Sequence, residues 1–189
     1  MGKRVVITGV PGVGKTTVIN KALEILVAER VTYESINFGT FMFETAVQDG
    51  LVRDRDEMRR LDRNVQKRLQ KNAAAAIGKH EGNIIIDTHC SVKTPRGYLA
   101  GLPEWVLREL NPDTIILVET DEDQILMRRL NDPTRVRDMD SAKEILEHQL
   151  FNRSLSAAYA VVTGCTVKIV KNQDFLLERA AAEMAAVLR

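Results

Sequence analysis

The stretch Gly9-Val10-Pro11-Gly12-Val13-Gly14-Lys15-Thr16 has the spacing G-x-x-x-x-G-K-[ST]. Backbone N–H groups converge on phosphate oxygens only where no Cβ blocks the approach, and a helix starting just beyond adds its positive dipole end. In such a loop Lys15 sits on the β- and γ-phosphates and Thr16 on Mg²⁺. The apolar run Val5-Val6-Ile7 before the loop and the helical periodicity after it supply the strand–loop–helix context that this chemistry needs. The glycines do not form G-x-G-x-x-G, so a nucleoside triphosphate is favoured over a dinucleotide.

Other residues point toward the same ligand. Asp87 follows the apolar run Ile84-Ile85-Ile86. A carboxylate there, beside the loop strand, is where a Walker-B acid holds Mg²⁺, and its alternative role is to cap a local loop. His89, two residues on, is a candidate general acid or base with no evident carboxylate partner in the sequence. Arg128, Arg129, Arg135 and Arg137 cluster around the Pro133 loop. A helix C-terminus accounts for the first two, but Arg135 and Arg137 lie past the break. The spacing of Gln149 and Arg153 puts a guanidinium on or beside the inner face of a helix, where a long cation needs an anionic partner. Between Arg53 and Lys71 eight Arg/Lys face four Asp/Glu, mostly a solvated helix face. Arg59 and Arg60 stand out there because arginine's planar fork suits bidentate phosphate recognition.

Phosphoryl transfer asks a protein chiefly for positioning and charge neutralisation, so a lysine, a metal and several mobile arginines form a nearly complete catalytic set. A phosphate monoester has a second pKa near 6 and is already a nucleophilic anion at neutral pH. A hydroxyl acceptor would instead want a base such as Asp87 or His89. Abundant arginine without an obvious base favours a phosphate acceptor.

The elements that must position these groups alternate along the chain. Strands are predicted at residues 4–8, 32–37, 83–88, 114–119 and 166–170. Helices are predicted after the loop (Val18, Ile19, Ala22, Leu23 and Leu26 inward), up to about residue 48, and over a charged stretch striped by Met58, Leu61, Val65, Leu69 and Ala73. Further helices are read at 104–110, from Asp121 (Ile125, Leu126 and then Leu130 inward), from Ser141 to about 162, and through Leu177, Ala180, Ala181, Met184, Val187 and Leu188. Ser141 and Glu144 form a capping-box pair, and Ile145, Leu146 and Leu150 mark an apolar side. Residues 91–103 read as a loop rich in Gly and Pro. The expected fold is α/β: a five-stranded parallel sheet with helices on both faces and ligands outside the strand C-termini. A chain of 189 residues is one domain's length. A net charge of +1 gives no global drive toward nucleic acid or membrane. Cys90 and Cys165 stand far apart, so neither a zinc knuckle nor a redox motif is written here. With no secretory signal, long apolar span or lipidation motif, a cytoplasmic location is expected.

Taken together, the phosphate loop, Asn37-Phe38-Gly39-Thr40, Asp56-x-Met58-Arg59, Asp87-Thr88-His89, Thr94-Pro95-x-Gly97-Tyr98-Leu99-x-Gly101-Leu102-Pro103, the arginine loop and Asn152-Arg153 resemble archaeal-type adenylate kinase, of the P-loop nucleoside monophosphate kinase superfamily. The resemblance runs from residue 3 to the final helix. It implies reversible, Mg²⁺-dependent transfer, ATP plus AMP giving two ADP, in the service of adenine nucleotide balance. It also implies an AMP-binding helical insertion at 38–80, a short lid at 128–140 and a homotrimer. Carried over by residue, Gly9, Val10, Pro11, Gly12, Val13, Gly14, Lys15, Thr16 and Thr17 hold the ATP phosphates, and Thr16 and Asp87 serve the metal. Arg59 binds the AMP phosphate, while Thr40, Phe41 and Met42 with Gly97, Tyr98 and Leu99 wall the AMP base. Arg128, Arg135 and Arg137 are the lid arginines, and Arg153 completes the clamp on the transferring group. Ala100 stands where this family is expected to carry proline, and the lid lacks the four-cysteine zinc site of some bacterial relatives. Alternatives are a P-loop kinase of another nucleotide or of a hydroxyl-bearing metabolite, and a P-loop NTPase switch.

Overall fold

β1 (Arg4–Thr8) is buried along its whole length, as a strand covered on both faces must be. The structure, a computed structural model, describes residues 2–131 and 140–189, and of Asp56 and Arg59 the backbone only. After β1 come α1 (Lys15–Ala28), β2 (Glu34–Asn37), α2 (Phe38–Gln48), α3 (Arg55–Arg60), α4 (Arg63–Gly78) and β3 (Ile84–Asp87). Then follow β4 (Ser91–Thr94), β5 (Gly97–Ala100), α5 (Glu104–Leu110), β6 (Thr114–Glu119), α6 (Glu122–Leu130), α7 (Ala142–Thr163), β7 (Thr166–Lys171) and α8 (Leu177–Leu188).

Among the described residues the main sheet has five strands in the order β2-β3-β1-β6-β7, all parallel. Side chains alternate across it. Val5 and Ile7 of β1 pack with Val18, Ala22 and Leu26 of α1 and with Ala181 and Met184 of α8. Val6, between them, packs with Ala73 and Ile77 of α4, Val106 and Leu110 of α5 and Tyr159 of α7. One period-2 strand thus writes two helix layers, and β1 sits at the centre with its C-terminal end opening on the phosphate loop.

The segment between β2 and β3 has a small core of its own, Ala46, Val52 and Leu69, with Met58, Leu61 and Val65 packed on it. The charged stretch expected as one helix is divided in two. The first piece ends at Arg60, and Asp62 caps α4, accepting the Asn64 N–H at 2.8 Å. The Gly/Pro-rich stretch expected as a loop carries an antiparallel hairpin, with Ser91 opposite Ala100 and Thr94 opposite Gly97. At its turn the Thr94 hydroxyl donates to the Gly97 carbonyl at 2.7 Å and Gly97 takes φ +114, a left-handed backbone open to glycine at little cost.

The inner face of α7 also differs from expectation. Ser141 and Glu144 form the full capping box, yet the buried side is Ile145, His148, Gln149, Asn152, Ser156 and Tyr159, whereas Leu146 and Leu150 are exposed. Polar groups occupy that side because each finds a partner there. Ser91 Oγ donates to Asn152 Oδ1 at 2.6 Å and meets His148 Nε2 at 2.9 Å, and Gln149 Nε2 donates to the Thr120 carbonyl at 2.9 Å. On α6, Ile125 is buried but Leu130 is exposed.

Candidate active site

At the C-terminal ends of β1 and β3 lies a cavity of about 460 Å³, lined by residues 9–17 with Asn37, Asp87, His89 and Arg128. The fold therefore brings the whole phosphate loop, the strand-end acid and one arginine together. Gly9 lies where a Cβ would come within 2.6 Å of the Val118 carbonyl, so the loop can hug β6 only as glycine. Gly14, the N-cap of α1, has φ +83 and no side-chain cap. The opening amides of α1 have no partner within the helix and remain for an anion.

Lys15 is folded back on the cavity wall. Its ammonium forms an ion pair with Asp87 Oδ1 and donates to the Thr88 carbonyl at 2.7 Å. Burial pushes the Lys15 pKa down, and the Asp87 charge opposes that push. Asp87 also accepts from Asn37 Nδ2 at 3.2 Å, and Asn37 Oδ1 caps α2 by accepting the Thr40 N–H at 2.9 Å. The acid at the phosphate loop is thereby tied to the first turn of the helical insertion. The Thr16 hydroxyl and the Asp87 carboxylate border one cavity. Two hard oxygen donors suit Mg²⁺, which keeps several waters and takes few protein ligands.

Arg128 and Arg129 both reach the phosphate loop from α6. Arg128 donates to the Val13 carbonyl at 3.0 Å, to the Asn172 carbonyl at 2.9 Å and to Asp174 at 2.5 Å. Arg129 donates to the Pro11 carbonyl and to Asp140, each at 2.8 Å. Asp140 in turn accepts from Lys93 of the hairpin at 2.7 Å. The anionic partner expected for Arg153 is Glu119, buried at the end of β6 and gripped by two bonds of 2.8 and 2.5 Å; Lys171 adds a third at 3.0 Å. Burial alone would raise the Glu119 carboxyl, but Arg153 and Lys171 outweigh it and hold it below the usual range.

The remaining candidates stand on other elements. Thr40, Phe41 and Met42 form the first turns of α2, and the Thr40 hydroxyl accepts from Arg55 at 2.9 Å. Tyr98 stacks on Phe151 of α7 with ring centroids 4.5 Å apart, between the exposed Leu99 and the turn glycine Gly97. Arg59 lies in α3, its side chain outside the described residues, and Arg135 and Arg137 lie outside them altogether. Arg60 borders a second hollow of about 530 Å³ in the insertion, which Arg53 and Glu57 share. Asn37 was visible in sequence only as part of a motif. Its N-cap position, three residues before Thr40, is the signal that could have singled it out.

The AAA domain family matches residues 8–146. Curated relatives extend over the whole length. The chain is 63% identical to an adenylate kinase of Methanoculleus marisnigri, covering 100% of each. It is 51% identical to one of Thermoplasma acidophilum, covering 98% of each. Among solved structures, a shikimate kinase from Bacteroides thetaiotaomicron superposes with a TM-score of 0.56 at 14% identity, covering 98% of each chain, a likeness of fold alone. Identity this high over the whole length of the chain has one reading: the chain belongs to the archaeal adenylate kinase family.

Proposed function

We propose that the chain transfers the terminal phosphoryl group of ATP to AMP, reversibly giving two ADP, and so balances the adenine nucleotides of the cytoplasm. The observation that carries this reading is the full-length 63% identity to an adenylate kinase, since a shared phosphate loop alone would leave the acceptor open. The residues 9–17 cradle the donor phosphates, and Lys15 leaves Asp87 to meet them. Thr16 and Asp87 would hold Mg²⁺, which would neutralise charge on the donor phosphates. Arg59 holds the AMP phosphate, and Thr40–Met42 with Gly97–Leu99 wall its base. Arg128, Arg135, Arg137 and Arg153 spread the charge that develops on the transferring group. No base is needed because the AMP phosphate is already an anion. Closure of segment 128–140 keeps out water, which would otherwise compete as acceptor.

A coupled assay with MgATP against AMP, CMP, UMP, GMP and shikimate tests this. ADP forms with AMP far above the ATP-only rate. A rate with another acceptor but none with AMP would overturn the reading. In the same assay Arg59→Ala raises the AMP KM about tenfold or more with a smaller change for MgATP, as loss of a charge-assisted contact to one substrate requires.

A homotrimer is the proposed assembly. Apolar side chains left exposed on the hairpin and α7, Val92, Leu99, Leu150 and Phe151, support burial against other copies. Sedimentation at micromolar concentration gives a trimer, and a lone monomer species would refute it.

A further inference from the structure

Asn172 follows the last residue of β7 and lies 159 positions from Val13, yet its amide Nδ2 donates to the Val13 carbonyl at 2.8 Å. A carbonyl can only accept, so the nitrogen rather than the oxygen of the amide must face it. The side chain is buried on a fixed base. Asn172 is 6% exposed, and its own N–H donates to the Glu119 carbonyl at 2.7 Å, continuing the β6–β7 ladder. It is also in close contact with the loop, since a Cβ on Gly14 would lie 2.6 Å from Nδ2.

The geometry of one peptide unit makes this bond consequential. The C=O of Val13 and the N–H of Gly14 belong to the same planar trans group and point in opposite directions. Two donors, Asn172 Nδ2 and Arg128 Nη1, hold the carbonyl toward β7. The Gly14 N–H is thereby aimed away from β7. At φ +83 Gly14 is glycine with a wide choice of conformations, so the peptide plane needs an external clamp. We infer that Asn172 is a positioning residue for phosphoryl transfer: it locks the Val13–Gly14 peptide so that the Gly14 N–H faces the donor phosphates. The inference rests on the reading of residues 9–17 as the donor cradle.

Asn172→Asp is nearly isosteric and replaces the donor by an acceptor, while Asn172→Ala removes it. Arg128 still holds the carbonyl in both, so the loss is partial. In each variant the MgATP KM rises about tenfold and the AMP KM stays within about twofold, because only the donor cradle loosens. Calorimetric titration with magnesium tripolyphosphate, which carries no base and needs no acceptor, shows the same weakening. It therefore reports on the cradle even if AMP proves not to be the acceptor. A fall in kcat with both KM values unchanged would mark mere loss of folded protein and overturn the inference. So would unchanged tripolyphosphate affinity.

Discussion

Lys15→Met lowers kcat by about three orders of magnitude while the AMP KM moves only a few-fold, the signature of a charge that acts on the transferring group. Lys15 is the cation in the cavity best placed to change partners. Its ammonium rests on Asp87 Oδ1 and the Thr88 carbonyl, at one end of the cavity that the loop lines. Arriving phosphates offer a denser negative charge than one carboxylate, and a neighbouring Mg²⁺ would draw Asp87 away. Methionine keeps the length of the stem and loses only the charge. The substitution also takes the ammonium from the Asp87 carboxylate and leaves it the Asn37 amide as a side-chain donor, a cost to stability unrelated to catalysis. The double variant Lys15→Met/Asp87→Asn separates the two effects: melting temperature recovers and kcat does not. A Lys15→Met enzyme within tenfold of the parent kcat would remove Lys15 from the chemistry.

How much of this was legible in the residues follows from the range of the interactions involved. The phosphate loop was legible because its chemistry is local: three glycines, a lysine and a threonine act within eight positions, between a strand and a helix that their own periodicity declares. The sheet was legible for a similar reason, since strands buried on both faces read as unbroken apolar runs, as in Ile84-Ile85-Ile86. The polar side of α7 was not. Gln149 and Asn152 are buried because Thr120 and Ser91 meet them, and those partners are dozens of residues away, so apolar spacing alone chose Leu146 and Leu150. The hairpin at 91–100 was hidden by Pro95 and Gly97, which mark a turn but do not say that strands flank it. Asn172 shows the limit most plainly. One asparagine after a strand has no distinguishing neighbours, and its role exists only because β7 ends beside the loop that follows β1.

Arg153→Ala separates a clamp from a brace. The guanidinium is held by Glu119 through two bonds, and Glu119 is almost wholly buried, its side chain 3% exposed. If Arg153 only neutralised that carboxylate, its loss would be felt in stability alone. As part of the clamp on the transferring group, it also lowers kcat, by about a hundredfold or more, since phosphoryl transfer depends on such cations. The stability effect has a definite sign with pH. The folded carboxyl of Glu119 is held below its unfolded value of about 4.3. Its contribution is present above that pH and is lost as pH falls through the folded value. Without Arg153 the two values draw together, so the stability deficit of Arg153→Ala against the parent is largest near neutral pH and narrows as pH falls below about 4.3. Adding Glu119→Gln removes the buried charge while keeping an amide able to hydrogen-bond. The double variant regains melting temperature near neutral pH, but its kcat stays low. Recovery of kcat together with stability in the double variant would make Arg153 a brace, and the clamp would then rest on the arginines of segment 128–140.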